Sequence, residues 1–336
     1  MTFPKNFSNI FNNLFLKLTT ILLLILVGAA AFLYWWASQP AQPVATDNIK
    51  IVIKPGSGAS QIGEQLQSAN LIRSSLFFQF LVWQNDLTGK LQAGSFDLSP
   101  ADSPKTIAEN LTKGTDDVWI TIKEGWRAGE IGDYLANSLP NFDSDGDEFE
   151  TECLNHEGYL YPETYLVPLN FNTTQTCKLL RNHYEKIAQE NLRDQTYRSP
   201  LNEKEIIILA SIIEREAKKP ADMAMVSGIL HNRLELGMPL QVDATLQYAK
   251  GFDAENNTWW PVPTATDKQL DSPYNTYQQP GLPAGPISNP GLNAITAAAN
   301  PTTTDNLYYI SNLSGTQMYY AKTYDQHQQN IDQYLK

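Results

Sequence analysis

Hydrophobic and polar positions divide the chain into three regimes. The first is an almost unbroken apolar run over residues 18–38, about the ~20 residues a helix needs to span a bilayer. It ends in Tyr34-Trp35-Trp36, an aromatic belt of the kind that settles at a membrane interface. The second regime, from Ile49 to about Glu190, mixes strand alternation with helical periodicity. The third opens at Ile206, where apolar residues run to Ile213 around a lone Ser211 and two carboxylates, Glu214 and Glu216, follow two positions apart.

In the second regime Ile49–Ile53 alternates as a strand, and Pro55-Gly56-Ser57-Gly58 turns the chain. Helices are predicted over Ser60–Ser68 and near Ser74–Trp83, and an extended piece over Gln92–Leu98. Ser103 caps a further helix, with Pro104 at its first position and Gly114 past its end. This opening recurs 69 residues later. Ile51, Ile53, Lys54, Gly56, Ala59, Ile62, Gly63 and Leu66 match Ile120, Ile122, Lys123, Gly125, Ala128, Ile131, Gly132 and Leu135, eight identities in the sixteen positions 51–66. A duplicated strand–turn–helix unit accounts for them. Asn141–Glu152 is strongly acidic and reads as a solvated, mobile loop. Asp143, Asp145 and Asp147 only loosely mimic a calcium loop, since the Gly and Glu positions are wrong. Glu157–Tyr165 packs aromatic residues and carboxylates together, as a half-buried strand would, or as a platform for sugar rings. Another helix follows near Thr174–Glu190.

The run from about Glu203 to Lys218 is long for a strand, so it reads as a helix, and its nearly all-round apolarity marks it as buried. Glutamates at such an end are unusual. The partial negative charge of a helix C-terminus and apolar surroundings both raise a carboxyl pKa, which suits an acid that must hold a proton near neutrality. The other reading has both glutamates in water, or paired with Arg215 and the lysines. A second helix is expected over Ala221–Leu236, ended by Gly237, and a third with Asp243 as N-cap. Asp253–Pro290 lacks periodicity but is too aromatic for a disordered tract. A helix over Gly291–Ala299, a hairpin of Leu307–Ile310 with Gln317–Ala321, and an amphipathic helix over Tyr324–Leu335 complete an α+β chain.

Composition narrows the function. The 336 residues carry a net charge of −12 and a pI near 4.8, which argues against a nucleic-acid partner. No phosphate loop and no zinc-like spacing among Cys153, Cys177 and the four histidines is evident, so chemistry without a cofactor is the default. The two cysteines could form a bridge or remain separate thiols. Lys5 and Lys17 precede the apolar run and no acidic residue occurs before Asp47, which places residues 1–17 in the cytoplasm and everything after the span outside. A cleaved signal peptide is the rival reading, but the apolar region is long for one and its aromatics continue past the small residues. Residues 39–47 read as a linker.

Ala210-Ser211-Ile212-Ile213-Glu214-Arg215-Glu216 resembles the active-site helix of the YceG-like family of endolytic murein transglycosylases. The likeness continues in order through Gln92–Phe96, Glu124-Gly125, Glu157–Tyr165, His231–Leu234, Leu240–Asp243, Tyr274–Tyr277, Gly281–Pro283 and Ile287–Gly291. It implies a LysM-like subdomain over 48–115 and a catalytic domain over 116–336. It also implies cleavage of the MurNAc–GlcNAc bond in nascent peptidoglycan, with closure of a 1,6-anhydro ring. The family's catalytic glutamate maps to Glu214. Tyr161, Glu163, Gln241, Asp243, Asn275 and Tyr277 are expected to hold sugars. The implied partners are glycan strands and cell-wall synthases such as penicillin-binding proteins. A hydrolytic muramidase and a non-catalytic, membrane-tethered peptidoglycan-binding scaffold are the alternatives.

Overall fold

The computed structural model describes residues 6–45, 47–115, 117–192 and 198–335, so Lys5 lies outside the described residues. Helix α1 covers Asn6–Ser38. Within it, Lys17–Ser38 is long and apolar enough to cross a membrane, by length and composition. The chain divides into two units, one running to Trp119 and including Leu166–Pro168, the other made of Ile120–Tyr165 and Leu169–Lys336.

In the first unit, β1 (Ile49–Ile53) leads to α2 (Ala59–Ser68) and α3 (Ser75–Gln84), then to β2 (Gly94–Leu98) and α4 (Pro104–Asn110). β1 and β2 pair antiparallel with Ile51 opposite Phe96. Their inward residues Ile51, Ile53, Phe96 and Leu98 close on Ile62, Leu66, Phe78, Ile107 and Leu111. Ser103 accepts from the Thr106 amide at the start of α4, and Pro104 occupies its first position, as expected from the sequence.

The chain continues through β3 (Asp117–Thr121), α5 (Ala128–Ser138), α6 (Asp147–Glu152), β4 (Thr164–Pro168) and α7 (Thr173–Asn191). The duplication is a structural one, and the 69-residue offset holds at its turns. Gly56 and Gly125 both take positive φ, 80° and 75°. α2 and α5 start at Ala59 and Ala128, and in each the N3 side chain, Gln61 or Glu130, accepts from the N-cap amide. β1 pairs with β2, and β3 with β4.

The acidic stretch departs from its expected form. Asn141–Glu152 is not a free loop throughout: Asp147–Glu152 is helical, because Phe149 is buried and packs on Phe142 and Gly132. Just beyond, Cys153 is bridged to Cys177, which ties α6 to α7 and decides the open question of the thiols. Closing a loop across 24 residues of sequence stabilises by roughly 3 kcal/mol through the unfolded chain.

The remaining helices are α8 (Glu203–Glu216), α9 (Pro220–Glu235), α10 (Asp243–Lys250) and α11 (Leu292–Ala299), followed by β5 (Tyr308–Ser311), β6 (Met318–Ala321) and α12 (Tyr324–Tyr334). α8 is the core element of the second unit. Asn202 caps it, and every residue from Ile206 to Ile213 is buried. Around it lie Val226 and Leu230 of α9, Ala294, Ile295 and Ala298 of α11, and Ile287. α8 stops two residues short of the predicted Lys218 because Ala217 is already extended and Pro220 opens α9. Asp243 does not cap α10. Val242 holds that position, and Asp243 is the first helical residue.

Gly132 sits where a Cβ would collide with the Phe149 ring, so the usual gain of replacing a helical glycine is reversed here. Gly132→Ala should destabilise the protein by about 1–3 kcal/mol in denaturant unfolding. A neutral or stabilising effect would mean that Phe149 does not pin α6.

Candidate active site

The site is assembled on the last turn of α8 by an irregular segment, Ile287–Gly291. Ser211, the lone hydroxyl of the apolar helix, accepts from the Ile287 amide at 3.0 Å and donates to the Ile208 carbonyl at 2.7 Å. Ser288 donates back to the Ser211 carbonyl at 3.1 Å. Both serines are fully buried, so each hydroxyl needs a partner, and each has one in the other's segment.

Asn289 joins this segment to two others. Its carbonyl accepts from the Gly125 amide at 2.9 Å, and its own amide donates to the Trp126 carbonyl at 2.8 Å. Its side-chain oxygen accepts from the Leu160 amide at 2.9 Å, while Nδ2 donates to Glu157 at 2.8 Å and to the Trp126 carbonyl at 3.0 Å.

These bonds bring Gly125 and Gly291 to Glu214. The Gly291 amide donates to Glu214 Oε2 at 3.0 Å, and Gly125 lies alongside its side chain. Glu124 is there too, so close to Gly291 that a side chain at that glycine would run into its carboxylate. Burial raises the Glu214 pKa and the Glu124 charge adds to the rise; the Gly291 amide and Arg215 pull the other way. The net effect favours the protonated acid. Periodicity pointed to no second carboxylate for Glu214, because 90 residues separate Glu124 from it and only the fold joins them.

Glu157 is a further residue that periodicity could not single out. It turns its carboxyl inward, where it accepts from the Ala128 amide at 3.0 Å and from Asn289. Burial pushes it up to about 7, against the Ala128 hydrogen bond and the nearby Arg127. Arg127 is buried and stacked at 4.0 Å over Trp260 and 4.8 Å over Tyr248. Arg215 lies at 3.6 Å over the same indole, whose N–H donates to Glu130 at 2.9 Å. Beyond the family resemblance, the advance signal was a carboxylate inside an aromatic stretch and the aromatic richness of the aperiodic one.

Glu216 has a separate setting, as expected of a residue about 200° round the helix from Glu214. It accepts from the Tyr309 hydroxyl at 3.0 Å, and burial raises it to about 7. It lines a cavity of about 400 Å³ together with Gln241, Asp243, Tyr277, Lys268 and His327. Within that cavity Tyr277 donates to Asp243 at 2.6 Å. Three of the predicted sugar-holding residues, Gln241, Asp243 and Tyr277, therefore gather around Glu216. Tyr161 and Glu163 lie instead on the Glu124 side, where both carboxylates, after burial, raise the Tyr161 pKa. Asn275 is fully buried, and its side chain is engaged with the Lys268 and Leu270 carbonyls and the Tyr277 amide. It shapes the loop that carries Tyr277. Among the described residues no group of three or more His, Cys, Asp or Glu could hold a metal ion.

Because the folded state raises the Glu157 pKa from 4.5 to about 7, it binds the proton more tightly than the unfolded chain does. That contribution is complete below pH 4.5 and is lost as pH rises from there through 7, at about 1.4 kcal/mol per pH unit. Thermal unfolding should show a falling Tm across this window, and Glu157→Gln should flatten the fall. An equally steep profile in the variant would remove Glu157 as its source.

A family model described as the YceG-like family matches residues 51–333. Proteins named endolytic murein transglycosylase are similar. That of Bacillus subtilis is 29% identical over 92% of this chain and 91% of its own length. That of Streptococcus pneumoniae D39 is 28% identical over 94% of this chain, which spans 64% of that longer relative. A crystal structure of a YceG-like protein from Listeria monocytogenes superposes with a TM-score of 0.56 at 28% identity, covering 85% of this chain and 99% of that one. With the family model matched over residues 51–333, the chain belongs to the YceG-like family.

Proposed function

We propose that the protein is a membrane-anchored lytic transglycosylase that cuts glycan strands of peptidoglycan within the chain. The observation that carries this reading is the last turn of α8, where a partly buried Glu214, its pKa raised by burial, lies beside a second carboxylate and faces one backbone N–H. Protonated Glu214 gives its proton to the oxygen linking N-acetylmuramic acid to N-acetylglucosamine, and that bond breaks. Positive charge develops on the muramic ring. The resulting carboxylate then takes the proton of the same sugar's C6 hydroxyl as that oxygen closes on C1. One carboxyl thus acts as acid and then as base, and no water is consumed.

Glu124 serves in this scheme as the like charge that holds the proton on Glu214. Gln241, Asp243 and Tyr277 hold sugars flanking the cut, and Tyr161 and Glu163 do so nearer Glu124. The span over 18–38 anchors the chain in the cytoplasmic membrane with its N-terminus inside. Residues 48–115 form a LysM-like glycan-binding domain, and 116–336 the catalytic domain. Cleavage of strands as they emerge would end their elongation, which fits partnership with cell-wall synthases.

One observation favours a second reading. Two carboxylates near one site are the equipment of a hydrolase, with Glu124 activating water or attacking the sugar. Digestion of purified sacculi separates the two. Anhydro products, lighter than reducing ends by one water, are expected, and Glu214→Gln should lower their yield by about 10²–10⁴-fold. Glu124→Gln should retain the anhydro product but move the alkaline limb of the pH–rate profile to lower pH, because the charge that raises Glu214 is gone. Reducing-end products abolished by Glu124→Gln would establish the hydrolase instead. Unchanged digestion by Glu214→Gln would end both schemes.

A further inference from the structure

Helix α3 carries no charged residue anywhere along Ser75–Gln84. Phe78, Leu81 and Val82 fill the core of the first unit. The opposite side is apolar as well: Leu76 is 76% exposed, Trp83 72% and Phe80 41%. The positions 76, 80 and 83 recur at helical spacing and form one stripe, with the Phe80 and Trp83 rings 6.0 Å apart. A helix apolar on both sides belongs in a core or in lipid, and a surface stripe of three large side chains needs an occupant.

The same unit contains the end of α1. Arg73, just before α3, donates through Nε to the Pro40 carbonyl at 2.9 Å and through Nη1 to the Trp36 carbonyl at 3.4 Å. Its guanidinium lies 5.8 Å from the Trp36 ring, and the Tyr34 ring meets Phe77 of α3 edge-on at 5.3 Å. Tyr34 and Trp36 belong to the aromatic belt that closes the apolar span. On the reading of α1 as a membrane span, α3 begins at the depth where α1 leaves the hydrocarbon.

We propose that α3 is a second, interfacial membrane contact, with Leu76, Phe80 and Trp83 inserted among the headgroups and upper acyl chains beside the point where α1 emerges. The proposal rests on the reading of α1 as a retained membrane span. A surface helix of this kind sinks roughly 5–10 Å into the interface, enough to take up these three side chains. It turns a single-point tether into a two-point attachment, which holds the first unit against the bilayer.

The test uses the full chain in vesicles of phosphatidylethanolamine and phosphatidylglycerol, spin-labelled at Leu76→Cys, Phe80→Cys or Trp83→Cys. Leu33→Cys in α1 and Glu64→Cys on the exposed side of α2 give the two reference depths. Cys153 and Cys177 are buried in a disulfide and do not react with the label. Labels at 76, 80 and 83 should collide several-fold more with dissolved oxygen than with an aqueous nickel chelate, as at 33, whereas 64 should show the reverse. Photolabelling of the unsubstituted chain by a carbene-generating lipid should mark the 75–84 peptide as well as α1, with no dependence on how the variants fold. Labels at 76, 80 and 83 that behave like 64 while 33 stays shielded, with no photolabel on 75–84, would overturn the α3 contact alone. An aqueous signal at 33 would overturn the anchor and the contact together.

Discussion

The side chain of Asn289 is the point through which the placement of Glu214 passes. It is wholly buried, and both ends of its amide are engaged: the oxygen with Leu160, the nitrogen with Trp126 and Glu157. Its backbone is bonded to Gly125 and Trp126 in the same place. Three stretches far apart in sequence are thereby held to one another. The next donor along, the Gly291 amide, can then only point at Glu214. A buried amide with an unmet donor or acceptor costs roughly 1–3 kcal/mol, so partial versions of this arrangement are disfavoured and it forms as a whole.

The duplication supplied part of this arrangement. Both copies of the strand–turn–helix unit keep the positive-φ glycine and the N3 side chain that folds back on the N-cap. In the first copy the N-cap is Gly58 and the turn meets solvent. In the second the corresponding residue is Arg127, stacked on Trp260, and Gly125 lies against Glu214. One backbone solution thus serves as plain scaffold in one place and as a wall of the site in the other. The substitutions that distinguish the copies mark where chemistry was added.

Much of the fold was legible because it rests on local rules. α8 is readable from its apolar run, α4 from Ser103 and Pro104, and the repeat from eight matched positions. What was not legible depends on who meets whom. Phe149 turns an acidic stretch into a helix only because Gly132 leaves room for it. Asp243 looks like a cap, but its carboxylate goes to Tyr277, 34 residues on. For the site, the position of the two glutamates could be read from the apolar run, while the choice between them came from the family resemblance alone. Each has its own enclosed setting, and those settings are built by Gly125 and Gly291 on one side and by Tyr309 on the other.

The indole of Trp260 has a consequence for how charged polymers approach. Two guanidiniums, from Arg127 and Arg215, rest on one ring in a chain whose net charge is −12. At long range such a molecule repels a polyanion. At the ring itself Glu130 and Glu157 stand beside Arg127, and Glu130, Glu214 and Glu216 beside Arg215, so the two cations are already matched by carboxylates. The stacked guanidiniums therefore do not form a free cationic patch; they balance the carboxylates around the ring, and the excess negative charge lies elsewhere on the molecule.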